Sequence, residues 1–243
     1  MKFTNLGSGS GGNASVVAFD GQALLIDCGL PKRRVLAGLH GLRLKGVLIT
    51  HRHSDHLKAH ASTLGAPLFV EEANWRDARR LKMVEGRAEH FYEMPFRVGS
   101  FRVSPFALPH PGEETWNSWG FRIEAGGASI AYATDLGHVT DSVVGAMSGA
   151  DVVFLESNHD VEMERDSLRP EGLVDWVLSD HGHLSNEQCA DGLRRIKGAH
   201  TVVLGHLSRD CNTPALARKA AKKATSARLV IAEQDSGGDV IDV

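Results

Sequence analysis

Cysteine is scarce in this chain. Cys28, Cys189 and Cys211 are the three among 243 residues, an odd count that excludes a disulfide framework. So few thiols fit a reducing compartment, and the expected location is the cytoplasm. The opening residues, MKFTNLGSGSGGNAS, hold no apolar stretch of signal-peptide length. No run approaches ~18 apolar residues, so a bilayer span is not expected. Charge of one sign is also missing. Lys and Arg number 27 against 30 Asp and Glu, a net charge of −3 that excludes blanket attraction to nucleic acid and leaves only local patches. There is no internal repeat, low-complexity tract or long Pro- or Ser-rich linker. The chain reads as one domain spanning 1–243, long enough to bury most of its apolar surface unaided.

What is present is a rhythm of short apolar segments. KFTNL and ASVVAF flank a glycine-rich turn, and ALLIDCG follows the turn signal DGQ. KGVLIT, DVVFLES and HTVVLGH are continuous apolar runs of the kind buried on both faces of a sheet. FRVSPFAL, SWGFRIEA, ASIAYATD and ARLVIAE also read as strands. A Gly-Gly turn joins SWGFRIEA to ASIAYATD. PKRRVLAGLHGL, LKAHASTLG, EEANWRDARRLKM, SNEQCADGLRRI and TPALARKAAKKA read as helices. Ser185 and Thr213 stand at N-cap positions, and Gln188 completes a capping box with Ser185. The pattern predicts two sheets covered by helices.

Histidine is the excess, at 13 residues. Three histidines and an aspartate fall within LITHRHSDH, at His51, His53, Asp55 and His56, directly after an apolar strand. Other strands end in residues of the same kind: His110 after FAL, Asp135 after IAYAT, and His206 after VVLG. If these strands lie side by side, their ends converge on one rim. Imidazole and carboxylate together suit zinc, manganese or iron, whereas a thiolate set would favour structural zinc. Isolated histidines are more often surface or satisfied core groups, and His40, His60, His90 and His200 are read so. The loop GSGSGGN lacks the Lys-Ser/Thr ending of a nucleotide-binding loop, and strands follow it. It reads as a flexible hairpin turn, the alternative being a loop whose N–H groups approach a substrate phosphate.

These motifs together resemble the metallo-β-lactamase superfamily. HxHxDH at His51–His56 is its first metal motif, followed in order by LPHP, ATDLGH and LGHLS, with LLIDCG as its second-strand motif. The resemblance covers nearly the whole chain and implies an α+β fold, an αββα sandwich of two mixed β-sheets flanked by helices. GSGSGGNAS, LESNHD, GHLSNEQCA and HLSRDCNTP are similar to the YycJ/WalJ group of exonucleases and phosphodiesterases. His110-Pro111 stands where that group usually has His-Asp, and Cys211-Asn212 where it usually has Asn-Asn. Carried over, the resemblance implies two divalent metal ions, zinc or manganese. His51, His53 and His110 would hold one. Asp55, His56 and His206 would hold the other. Asp135 would bridge them, and Asp27 would orient a ligand.

Such a pair of ions holds one hydroxide that attacks phosphorus or a carbonyl carbon. A di-iron redox site usually has glutamate at the second histidine of the motif, and His53 disfavours it. The leaving oxygen still needs a proton. His183 of GHLSN resembles the histidine that transfer-RNA-processing relatives use for this step, with Glu156 as its orienting partner. Asp55, His183 and Glu156 form the expected catalytic set. Ser208, Asn212 and His159 are candidate substrate contacts, His181 is a weaker one, and His138 reads as a surface turn residue. Trp116 is a candidate for stacking on a base, and Trp119 reads as core.

The expected function is cleavage of phosphodiester bonds in nucleic acid, like a DNA exonuclease. One alternative is a hydrolase of a small ester, thioester, lactone or cyclic nucleotide on the same metals. Another is a metal-dependent nucleic-acid-binding or regulatory module with little turnover. The basic segments around Arg76–Lys82 and Arg218–Arg228 read as solvated helix faces, unless one faces the rim and tracks a nucleic-acid backbone. A homodimer is compatible with the short chain.

Overall fold

The computed structural model describes residues 1–91, 93–109 and 118–243. Six strands open the chain: β1 (Lys2–Gly7), β2 (Ala14–Phe19), β3 (Gln22–Ile26), β4 (Arg43–Leu48), β5 (Leu68–Glu71) and β6 (Glu89–Phe91). Seven more follow: β7 (Phe96–Val98), β8 (Phe101–Leu108), β9 (Ser118–Ala125), β10 (Ala128–Ala133), β11 (Val152–Glu156), β12 (Thr201–Gly205) and β13 (Arg228–Ile231). The short β14 (Ile241–Asp242) returns beside β1. The two sheets run β14-β1-β2-β3-β4-β5-β6 and β13-β12-β11-β10-β9-β8-β7. Both are mixed. Pairing is antiparallel from β14 to β3 and parallel from β3 to β6. In the second sheet it is antiparallel from β7 to β10 and parallel from β10 to β13.

The continuous apolar strands have two dry faces, as their composition requires. Leu24 and Ile26 of β3, with Val152 and Phe154 of β11, point between the sheets. There Tyr132 stacks on Phe154 with ring centroids 4.4 Å apart. Ala23 and Leu25 point the other way, toward Val35 of α1 (Lys32–Gly38) and Trp75 and Ala78 of α2 (Glu72–Arg80). Val153 and Leu155 meet Val143 and Met147 of α3 (Asp141–Met147), Cys189 and Leu193 of α6 (Asn186–Arg195), and Ala217 of α7 (Pro214–Ala221). The layers are therefore helix, sheet, sheet, helix. Each fully buried Leu, Ile or Phe here contributes about 1.5–3 kcal/mol.

Local signals explain the connections. Asp20 and Gly21 both take positive φ, 50° and 68°, as a two-residue hairpin between β2 and β3 requires. Gly126 and Gly127 do the same between β9 and β10, at 61° and 83°. Ser185 and Gln188 make the reciprocal capping box, and the Thr213 side chain caps α7. Trp119 is buried edge-on against Phe91. Two expectations change. LKAHASTLG holds only a 3-10 turn at Ala59–Thr63, because the Thr63 hydroxyl bonds the His60 carbonyl and competes with the helix ladder. Helices α3, α4 (Val161–Arg165) and α5 (Glu171–Leu178) were not expected from the sequence. They are short and are fixed by Thr140, Asp160 and Pro170 at their starts.

Candidate metal centre

The loops after β3, β4, β10, β11 and β12 meet at one rim. Asp27 follows β3 with φ of 59°, which turns its carboxylate toward the loop after β4. There it accepts hydrogen bonds from the Thr50 amide at 2.9 Å, the Thr50 hydroxyl at 3.0 Å and His56 Nδ1 at 2.7 Å. Fixing the Nδ1 proton this way leaves His56 Nε2 to face the centre. Gly29 lets the two loops touch, since any Cβ there would overlap the Asp55 carbonyl.

His56 Nε2 lies 3.1 Å from Asp135 Oδ2 and 3.4 Å from Asp55 Oδ2. His206 stacks on His56 with centroids 5.5 Å apart, and its Nδ1 is 3.2 Å from the same Asp135 oxygen. His51 Nε2 meets His53 Nδ1 at 2.9 Å. Asp135 and His206 also take positive φ, 60° and 54°. Three of the five non-glycine residues with positive φ among the described residues thus belong to this rim. Sparsely populated backbone conformations of that kind cluster at functional sites.

The charges are strongly coupled. Burial would lower the His56 pKa, but Asp135, Asp27 and Asp55 together hold it well above the ordinary imidazole value. Burial likewise opposes His206, yet Asp135 lifts it to about 9. Burial would raise Asp135, while His206 and His56 hold it well below the usual carboxylate range. Asp27 is raised, because burial outweighs its bonds to His56 and Thr50.

The donor set fits divalent cations. Asp135 Oδ2 and His206 Nδ1 are buried and face each other at 3.2 Å, with no further hydrogen bond among the described residues. Ligand atoms gather in three groups, each within 4.8 Å: Asp55, His56 and His206; His51, His56 and Asp135; and Asp135, Glu156, His183 and His206. Asp135, His56 and His206 are each shared between two groups. His110 and Trp116 lie outside the described residues.

Glu156, at the end of β11, joins two loops. Its Oε1 meets His183 Nδ1 at 2.8 Å. Its Oε2 accepts the amides of Leu136, beside Asp135, at 3.1 Å and of Leu184 at 3.2 Å. Burial would lower the His183 pKa, but Glu156, aided by Asp135, raises it. The Trp176 ring stands edge-on to His183, with centroids 5.4 Å apart.

The candidate substrate contacts are placed differently. The Asn212 amide donates to the carbonyls of Ser157 and Asn158 and exchanges bonds with Asn186, so it is spent on internal structure. The Ser208 hydroxyl accepts from Arg169, which also pairs with buried Glu164. Both ring nitrogens of His159 are buried without a hydrogen-bond partner among the described residues, and it joins no donor group. His138 bonds the Asp180 carbonyl at 3.2 Å, and His181 is exposed. Arg218 and Arg228 line a groove of about 810 Å³ that begins at Leu207 and Ser208, just after His206. Among the described residues no metal-ligand candidate lines that groove, so the candidate chemistry is placed by the donors and not by this hollow.

Sequence reasoning missed Ser8 and Asn13. The glycine loop between β1 and β2 is clamped rather than flexible. Asn13 Nδ2 lies 3.0 Å from His56 Nε2, and the His206 amide donates to Ser8 Oγ at 2.9 Å. Polar residues within a glycine-rich turn were the available signal.

The Beta-lactamase superfamily domain matches residues 22–207. The chain belongs to the metallo-β-lactamase superfamily. It is 32% identical over 232 residues to the exodeoxyribonuclease WalJ of Streptococcus pneumoniae, covering 89% of this chain and 85% of that protein. It is 32% identical over 234 residues to the exodeoxyribonuclease YycJ of Bacillus anthracis, covering 90% and 86%. YhfI of Bacillus subtilis, a metallo-β-lactamase fold protein, shares the fold with a TM-score of 0.74 at 21% identity over 99% of both chains. The protein is accordingly an enzyme, a metal-dependent hydrolase of this superfamily with a His/Asp cluster able to bind metal. Among the described residues no helix is long and apolar enough to cross a membrane.

Proposed function

We propose that this hydrolase cleaves phosphodiester bonds in DNA as an exonuclease, using two divalent ions. The observation that carries the reading is the His183–Glu156 pair, 2.8 Å apart and joined through shared donors to Asp135. His51, His53 and His110 would hold one ion, and Asp55, His56 and His206 the other, with Asp135 between them. Zinc or manganese suits this donor set of imidazole and carboxylate. When bound, the ions supply Lewis acidity and acidify a water toward neutrality. The chain's own residues do the rest. Asp27 fixes the His56 ring, and Glu156 keeps His183 protonated. His183 then gives its proton to the departing oxygen of the cleaved strand. DNA as substrate is supported by the identity to WalJ and YycJ over most of the chain.

The test is degradation of end-labelled DNA, with bis-(p-nitrophenyl) phosphate, a thioester and a lactone measured alongside. Stepwise release of nucleotides that stops on chelation is the expected result. Turnover of the thioester or lactone with DNA left intact would overturn the reading in favour of a small-molecule hydrolase. Duplex binding without cutting would favour a binding module.

A further inference from the structure

The glycine loop carries a buried side chain that no donor group uses. Asn13 is 0% exposed. Its Oδ1 accepts from the Gly9 amide at 2.9 Å and from Ser8 Oγ at 3.1 Å. These two donors fix which end of the amide is oxygen, so Nδ2 must face the metal ligands. Nδ2 lies 3.2 Å from the Gly9 carbonyl, 3.3 Å from the Asp55 carbonyl, 3.3 Å from Asp55 Oδ2 and 3.0 Å from His56 Nε2. Its two hydrogens have four acceptors in reach. If a cation takes His56 Nε2, one N–H is released to the Asp55 carboxylate. Ser8 continues the chain of bonds to the other sheet, because its Oγ accepts the His206 amide at 2.9 Å.

We propose that Asn13 is a positioning residue for Asp55, His56 and His206, and that Ser8 makes the glycine loop a clamp across the two sheets. The residues it organises are one of the three donor groups and come from both sheets. The ligand atoms of Asp55 and His56 follow β4, whereas His206 follows β12. The Ser8–Asn13 pair bonds both segments directly. Without it, Asp55, 22% exposed at its side chain, loses the Asn13 donor on its carboxylate, and His206 loses the tie on its amide. Hydrogen bonds that orient metal ligands in this way are typically worth 10–100-fold in metal affinity.

The inference rests on the reading that the centre takes divalent ions, and one titration separates the two. Protein stripped by a chelator is titrated with Zn²⁺ in competition with a chromophoric chelator, for wild type, Asn13→Ala, Ser8→Ala and the double variant. Wild-type stoichiometry tests the two-ion reading alone. The ratio of affinities tests Asn13, whether one ion or two bind. We expect Asn13→Ala to weaken an ion by about 10–100-fold and Ser8→Ala by about tenfold. The double variant should be no weaker than Asn13→Ala, since the two side chains act in one chain of bonds. A merely structural role would lower the melting temperature of all three yet leave Zn²⁺ affinity unchanged, and that result overturns the proposal. So does full additivity of the two losses. If Asn13→Ala does not fold, Ser8→Ala decides alone, because it removes one hydroxyl, and wild-type affinity in it refutes the clamp.

Discussion

Asp27 and Asp135 occupy the same place in the two sheets. Each follows the strand at which antiparallel pairing gives way to parallel, β3 in one sheet and β10 in the other. Their φ angles are 59° and 60°. Their neighbours differ. Asp27 spends its oxygens on Thr50 and the Nδ1 side of His56, whereas Asp135 faces the Nε2 side of His56 and the His206 ring. One backbone device therefore yields an orienting carboxylate in the first sheet and a shared ligand candidate in the second. The loops beyond them differ too. The first sheet concentrates its ligand candidates in one run after β4, whereas the second places the candidates Asp135 and His206, with the orienting Glu156, at three separate strand ends.

That contrast can be broken experimentally, and the largest effect comes first. Asp135→Ala should abolish metal retention and cut turnover by about a thousandfold or more, measured by metal content and nuclease rate, because it removes several kcal/mol of charge stabilisation. His183→Ala should cost about 10²–10⁴ in rate while metal content stays at the wild-type level. Loss of metal in that variant would make His183 a ligand instead. Asp27→Asn should weaken Zn²⁺ binding by about 10–100-fold, a lesser loss than at Asp135. Equal losses at the two aspartates would erase the distinction between them.

Glu156→Gln sharpens the comparison through pH. Glu156 raises the His183 pKa in the folded protein, so the proton is held to higher pH than an ordinary imidazole allows. If His183 is the proposed acid, its protonated form works below that pKa, and activity should fall as pH rises through it. The variant should move this falling limb to lower pH in a rate profile, and an unmoved limb would remove His183 from the proton transfer. The smallest effect belongs to Ser185→Ala. It removes the cap of α6 and should cost about 1 kcal/mol of stability in a denaturant titration, with metal content unchanged.

The sequence carried the first sheet's contribution better than the second's. His51, His53, Asp55 and His56 are legible as candidates because four ligand-type residues within six positions need no knowledge of topology. Asp135 and His206 were reachable through apolar runs that end in a ligand type and through the family resemblance, and their convergence depends on which strands are neighbours. The double duty of Glu156 was half visible. Its pairing with His183 came from resemblance, but its grip on the Leu136 amide arises from backbone geometry that no residue pattern encodes. Asn13 was hidden by composition, since a glycine-rich turn suggests freedom, whereas burial of one amide fixes it. Asn212 erred the other way. A polar residue beside a ligand looked available, but the carbonyls of Ser157 and Asn158 claim its donors.

The left-handed backbone at Asp27, Asp135 and His206 sets a trap for anyone seeking a hardier version of this protein. Glycine at any of the three would relieve about 1 kcal/mol of local conformational penalty, so a screen that rewards heat resistance alone is drawn toward those positions. The survivors would be robust and inert.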